Sequence, residues 1–81
     1  MLIALDWDKT YTLDPELWDA FIVNAQQRGH TVKIVTMRYP HEILQDAPVE
    51  VLYTSRGAKA KTISPDVWID DQPHWIVNDS L

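Results

Sequence analysis

Asp6 and Asp8 stand two residues apart in Asp6-Trp7-Asp8-Lys9-Thr10, directly after the apolar run Leu2 to Leu5. On a continuing strand both carboxylates point to one face and Trp7 to the other. One carboxylate could attack a substrate while its neighbour transfers protons, the division of labour that covalent catalysis with a general acid/base needs. A second pair, Asp70-Asp71, closes another apolar run near the end of the chain, and Thr36 closes a β-branched run between them. Taken singly these are weak signals. Most Asp-x-Asp pairs are turns or caps, Asp70-Asp71 before Gln72-Pro73 reads equally as an acidic turn, and Thr36 suits any strand. Their shared placement at the ends of apolar runs is the informative feature.

The elements that must position them follow from local pattern. Leu2 to Leu5 has the length of a buried strand in a sheet covered on both faces. Asp14-Pro15 is an N-cap followed by proline at the first helical position, and Leu17, Trp18, Phe21, Ile22 and Ala25 then recur at helical spacing until Gly29. Thr31 to Thr36 is a second strand. A short helix is expected from about Pro40 to Asp46, a third strand over Val49 to Tyr53, and one or two helical turns near Ala58 to Thr62. Asp66 to Ile69 is a fourth strand, and Trp75 to Val77 is either a fifth strand or a packed turn. Strands alternating with helices predict an α/β fold: one domain over residues 1–81, a minimal Rossmann-like parallel sheet of four to five strands with helices on both faces.

In such a sheet the carboxyl ends of the strands share one edge, where ligands bind. Three strands would then deliver four carboxylates and two hydroxyls to one crevice. Carboxylates so close repel one another unless a cation lies among them. An all-oxygen donor set suits Mg²⁺, and the absence of a histidine pair at zinc-like spacing disfavours zinc.

Composition sets the outer bounds. The chain has 81 residues, no cysteine and a net charge of −5. Disulfides and thiolate metal sites are excluded, and a broad basic surface for nucleic acid or anionic membrane is disfavoured. Removing Asp6, Asp8, Asp70 and Asp71 from the twelve acids leaves eight against seven bases, so most of the excess charge belongs to the crevice. Area scaling gives a folded surface of roughly 5,000 Å², a marginal core for which a bound metal or a homo-oligomer is the expected supplement. No run approaches the length of a membrane span and the start lacks a basic segment, so the expected location is cytoplasmic.

These residues resemble the motifs of the haloacid dehalogenase-like (HAD) superfamily, a group of Mg²⁺-dependent, mostly phosphatase enzymes. The likeness covers nearly the whole chain: Leu2 to Thr10 for the Asp-x-Asp-x-Thr strand, Lys33 to Thr36 for the strand ending in Thr, a lysine after Gly57, and Val67 to Asp71 for the strand ending in Asp-Asp. It implies Asp6 as the nucleophile that forms an aspartyl-phosphate, Asp8 as the acid/base, and Thr10 as the residue that steadies the loop. It further implies that Thr36 holds a phosphoryl oxygen. Asp70 would ligate Mg²⁺ with Asp6 and the Asp8 main-chain carbonyl, and Asp71 would act through a water. Lys59 and Lys61 both follow Gly57; Lys59 is preferred because it comes first after the turn, with Lys61 kept as a substrate-side candidate. Arg38, two residues past Thr36, would sit at the rim and clamp a phosphate or carboxylate.

The chain departs from the resemblance in its brevity. Only Tyr11, Thr12 and Leu13 separate Thr10 from the helix start, and no insertion provides a cap domain. The implied activity is therefore a capless Mg²⁺-dependent phosphatase with an open site, acting on a small phosphorylated molecule. The alternatives are a polynucleotide or protein phosphatase, or a catalytically silent HAD-like binding module or subunit. A response-regulator receiver would place its acid pair first and its phosphorylated Asp later. A magnesium nuclease would leave Thr36 and Lys59 without a role.

Overall fold

In the computed structural model, which describes residues 1–80, the apolar runs assemble into one four-stranded, all-parallel sheet. In chain order the elements are β1 (Leu2–Asp6), α1 (Pro15–Gln27), β2 (Thr31–Thr36), β3 (Val51–Tyr53), β4 (Val67–Ile69) and the single-turn α2 (His74–Val77). Two 3-10 turns, Tyr11–Leu13 and Lys59–Lys61, lie between them. The spatial order is β3-β2-β1-β4. The fold is thus α/β, consistent with a Rossmann-like sheet. Among the described residues no helix is long and apolar enough to cross a membrane.

The start of α1 forms as its residues dictate. The Asp14 carboxylate accepts the Leu17 backbone N–H at 3.2 Å, and Pro15 occupies a position whose N–H would be unpaired in any case. Beyond the helix, Gly29 takes φ +84°, the left-handed conformation that a residue with a Cβ adopts at a cost. The buried stripe of α1 lies on one face of the sheet. There Ile3, Leu5 and Trp7 from β1 and its extension join Val32, Ile34, Ile22, Ala25 and Leu44 in the principal core. Trp7 stacks on Tyr11 with centroids 4.6 Å apart, and the Tyr11 hydroxyl donates to Asp19 at 2.6 Å. That pair fixes the loop that leaves β1.

The opposite face is thinner. Ala4, Val35 and Ile63 form a second buried cluster, with Leu2, Leu52 and Trp68 packed half-buried against it. Here the expectation of helices on both faces needs correction: among the described residues no full-length helix covers this side, because the connection from β3 to β4 forms only a 3-10 turn. The Lys59–Lys61 turn and the segment to Ile63 take that place, with α2 packed against the turn.

Two further boundaries differ from expectation, and one open alternative is decided. The helix expected between Pro40 and Asp46 is an irregular turn. Asp46 adopts φ 57°, which ends any right-handed helix, and the span contributes only Leu44 to the core. β3 begins at Val51 rather than Val49, although the Glu50 carbonyl already accepts the Ile34 N–H at 3.0 Å. Of the two alternatives for Trp75 to Val77, the structure has the packed turn and not the fifth strand: the segment belongs to the single-turn α2, which packs against the Lys59–Lys61 turn.

Candidate active site

Alternation along β1 decides which face each acid uses. Leu2, Ala4 and Asp6 share the thinner face, so Asp6 stands directly above the small second core, where little bulk covers the sheet edge. Asp6 is only 8% exposed, and its two oxygens are both engaged. One accepts the Lys59 ammonium at 2.7 Å and the other accepts the Thr10 hydroxyl at 3.0 Å. The same ammonium donates to Asp70 at 2.6 Å, and the Thr10 hydroxyl reaches Asp71 at 3.3 Å. Residues from the ends of β1 and β4 and from the turn at Lys59 thus meet at one point.

Lys59 is 3% exposed, which for a lysine requires paired charge around it. Gly57 allows its approach: a Cβ there would lie 3.0 Å from the Thr54 carbonyl, inside ordinary contact distance. The start of the turn is tied by Asp79, which accepts the Ala58 N–H at 2.7 Å. The Ala58 N–H holds the Asp79 carboxyl below its usual range, with the Lys61 ammonium adding to the effect.

Asp6, Asp70 and Asp71 each offer a carboxylate oxygen, and these oxygens lie within 4.8 Å of one another. One of the three is buried, one half-buried and one exposed. The Asp6 carboxyl is pushed up to about 6, first by burial and then by its neighbour Asp71, while Lys59 opposes both.

The side chain of Asp8 lies apart from this group. It is exposed and held in a fork by Arg38, at 2.6 Å from one nitrogen and 3.1 Å from the other. Asp8 thus lines the expected crevice, but its side chain does not join the three clustered carboxylates; the metal donor expected at Asp8 is its main-chain carbonyl. On the loop after β1 the side chain is free to turn outward to the nearest cation. Arg38 is placed by β2, where its N–H donates to the Thr36 hydroxyl at 3.3 Å. Thr36 is 2% exposed and lines the same cleft as Asp6, Asp8, Lys59, Asp70 and Asp71. Lys61 is not in the cleft. It points to the surface and pairs with Asp79 at 2.9 and 3.0 Å, because the three-residue turn places it away from Lys59.

No family model, curated protein or solved structure matches this chain.

Six cleft residues are not among the site candidates drawn from the sequence: Lys9, Met37, Arg56, Gln72, Trp75 and Ser80. Only Lys9 carried a usable signal, as the residue between the acids and Thr10. It adopts φ 62°, and its N–H donates to the Thr12 hydroxyl at 3.0 Å, so a lysine occupies a left-handed position that favours glycine. Arg56 lies on the turn after β3, where its N–H donates to the Met37 carbonyl at 2.7 Å. The Ser80 N–H donates to the Arg56 carbonyl at 2.7 Å and closes the C-terminal segment onto that turn.

Proposed function

We propose that the chain is a divalent-cation-dependent phosphomonoester hydrolase of the HAD-like type, with Asp6 as nucleophile and Mg²⁺ as the cofactor. The observation that carries this reading is the buried Lys59 ammonium between Asp6 and Asp70, at a cleft that also presents Thr36. A structural ion pair needs one carboxylate. This lysine is shared by two, with a third carboxylate close by and a buried hydroxyl on the neighbouring strand.

The donor set fits a hard cation. Three carboxylates offer oxygen only, within one ion's reach of each other, and each oxygen bonded to Lys59 or Thr10 keeps a further lone pair. The cleft lining holds Asp6, Asp8, Asp70 and Asp71 against Lys9, Arg56 and Lys59, one negative charge in excess. That balance repels a phosphate dianion, and a divalent cation reverses it. Bound on Asp6, Asp70 and Asp71, with the Asp8 carbonyl as a further donor, Mg²⁺ would supply charge stabilisation to the phosphoryl oxygens and favour the ionised form of Asp6.

The chain's own groups then account for the reaction. An Asp6 oxygen attacks phosphorus and the bond from phosphorus to the ester oxygen breaks. Protonated Asp8, released from Arg38, gives its proton to the departing alkoxide. Water then attacks the phosphorus of the aspartyl-phosphate, Asp8 takes a proton from that water, and the bond from phosphorus to Asp6 breaks. Inorganic phosphate leaves and both aspartates return to their starting states. Lys59 and the Thr36 hydroxyl donate to phosphoryl oxygens throughout, and Thr10 orients Asp6.

Release of phosphate from an aryl phosphate with and without Mg²⁺ tests this reading, with Asp6→Asn as the control. Expected is metal-dependent release that Asp6→Asn abolishes. No release by the wild type with any divalent metal would overturn it. The binding-module alternative draws on the Asp8–Arg38 fork, which ties up the acid/base in the resting structure. Metal binding without turnover is the outcome that would favour that alternative.

A further inference from the structure

The cleft is far larger than a phosphoryl group requires. Its volume is about 410 Å³, within the roughly 300–1,000 Å³ range of pockets that enclose a whole organic ligand. Its lining is almost entirely charged or hydrogen-bonding, and the two apolar side chains are Met37 and Trp75. Met37 directly follows β2, and Trp75 lies on α2 beyond β4, so the two reach the cleft from different elements.

Trp75 is held in place. Its backbone N–H donates to the Gln72 carbonyl at 3.0 Å, and its ring packs edge-to-face with His74, centroids 4.7 Å apart. It remains half-buried and faces the cleft rather than either core cluster. Packing does not account for an indole there. A tryptophan that contributes to neither core, fixed at the mouth of a polar cleft, is a stacking platform for a flat group.

Two cations complete the rim. Among the described residues Lys9 makes no ion pair, and its left-handed backbone holds it at the cleft. Arg56 lies 3.3 Å from Glu42 and over the Tyr39 ring, its guanidinium 5.6 Å from the centroid. Both are hydrogen-bond donors only, suited to the acceptor-rich edge of a heteroaromatic ring or to a further phosphate.

The geometry points to a nucleoside phosphomonoester as the substrate class, with the base on Trp75 beside Met37 and the phosphate at Asp6, Thr36 and Lys59. This inference rests on the phosphatase reading and adds the leaving group. The same chemistry comes from a free mononucleotide or from the phosphorylated end of a short oligonucleotide, and Lys9 would meet the extra phosphodiester of the latter.

The test compares kcat/KM for adenosine monophosphate, a terminally phosphorylated oligonucleotide, ribose phosphate and an aryl phosphate. Expected is a preference of about tenfold or more for one of the nucleoside esters over ribose phosphate, the scale of one base stacked on an aromatic ring. Trp75→Leu should narrow that ratio and Trp75→Phe should retain it, which a general folding defect would not do. Equal rates for adenosine monophosphate, the oligonucleotide and ribose phosphate would overturn the inference while leaving the phosphatase reading intact. If no ester is hydrolysed, the phosphatase reading fails, and tryptophan emission decides the binding claim. Quenching by adenosine monophosphate that is lost in Trp75→Phe would uphold the nucleoside site, and no quenching would overturn it.

Discussion

The two aspartates of the first motif are paired in opposite ways. Asp6 is buried and shares the buried Lys59 with Asp70. Asp8, two residues on, is exposed and meets the half-exposed Arg38 in a two-pronged pair. The distances are alike, so geometry alone does not distinguish them. Burial does. In the inner group every charge depends on its neighbours, since none can be solvated if a partner is lost. In the outer pair water replaces either partner at little cost. The inner group suits a fixed nucleophile, the outer pair a side chain that must exchange partners during a reaction.

The sharpest way to break this comparison is to remove the shared lysine. Lys59→Met leaves Asp6 and Asp70 facing each other without a counter-charge, and the metal-free protein should lose about 3–5 kcal/mol in denaturant unfolding. Added Mg²⁺ should restore part of that loss. A change below about 1 kcal/mol would show that the inner group is as loosely coupled as the outer. Asp8→Asn should do the reverse. Stability stays within about 1 kcal/mol of wild type, while phosphate release falls about 10²- to 10⁴-fold, the range for loss of a general acid/base. Full turnover in that variant would remove Asp8 from the mechanism.

The raised carboxyl of Asp6 makes the inner group pH-dependent. Its folded value of about 6 exceeds the ordinary 3.8, so the metal-free folded state holds a proton that the unfolded chain has released. Stability from this group is complete below the ordinary value and declines as pH rises towards about 6. Mg²⁺ needs the ionised carboxylate, so its affinity should rise up to about tenfold per pH unit below that value and level off above it. Titration calorimetry across that interval checks the slope, and a flat profile would contradict it. The smallest effect belongs to Arg38→Met, which should alter unfolding by less than about 1 kcal/mol and, unlike Lys59→Met, gain no more from added Mg²⁺ than the wild type gains.

The two faces of the sheet show where sequence reading works. Beneath α1 almost everything was legible, because an N-cap, a helix-starting proline, a helical apolar stripe and a terminal glycine are local signals that act within a few residues. On the other face the signals are too short. Lys59–Lys61 and His74–Val77 are single turns whose form comes from contacts with distant chain, such as the Asp79 carboxylate at Ala58 and the Ser80 N–H at Arg56. Asp79 stands in an unremarkable polar tail, and no pattern in its neighbourhood marks it.

The candidate site divides in the same manner. The order of apolar runs, each closed by an acid or hydroxyl, by itself determined that Asp6, Thr36 and Asp70-Asp71 would lie on one edge, since parallel strands deliver their carboxyl ends together. Only the tertiary structure decided that Lys59 enters the cleft while Lys61 turns to Asp79, and that Asp8 is held outward by Arg38. It likewise decided that Trp75 forms part of the cleft wall. Strand periodicity fixes which edge a residue reaches, but burial and the choice between competing charge partners depend on groups tens of residues apart, whose meeting no local spacing encodes.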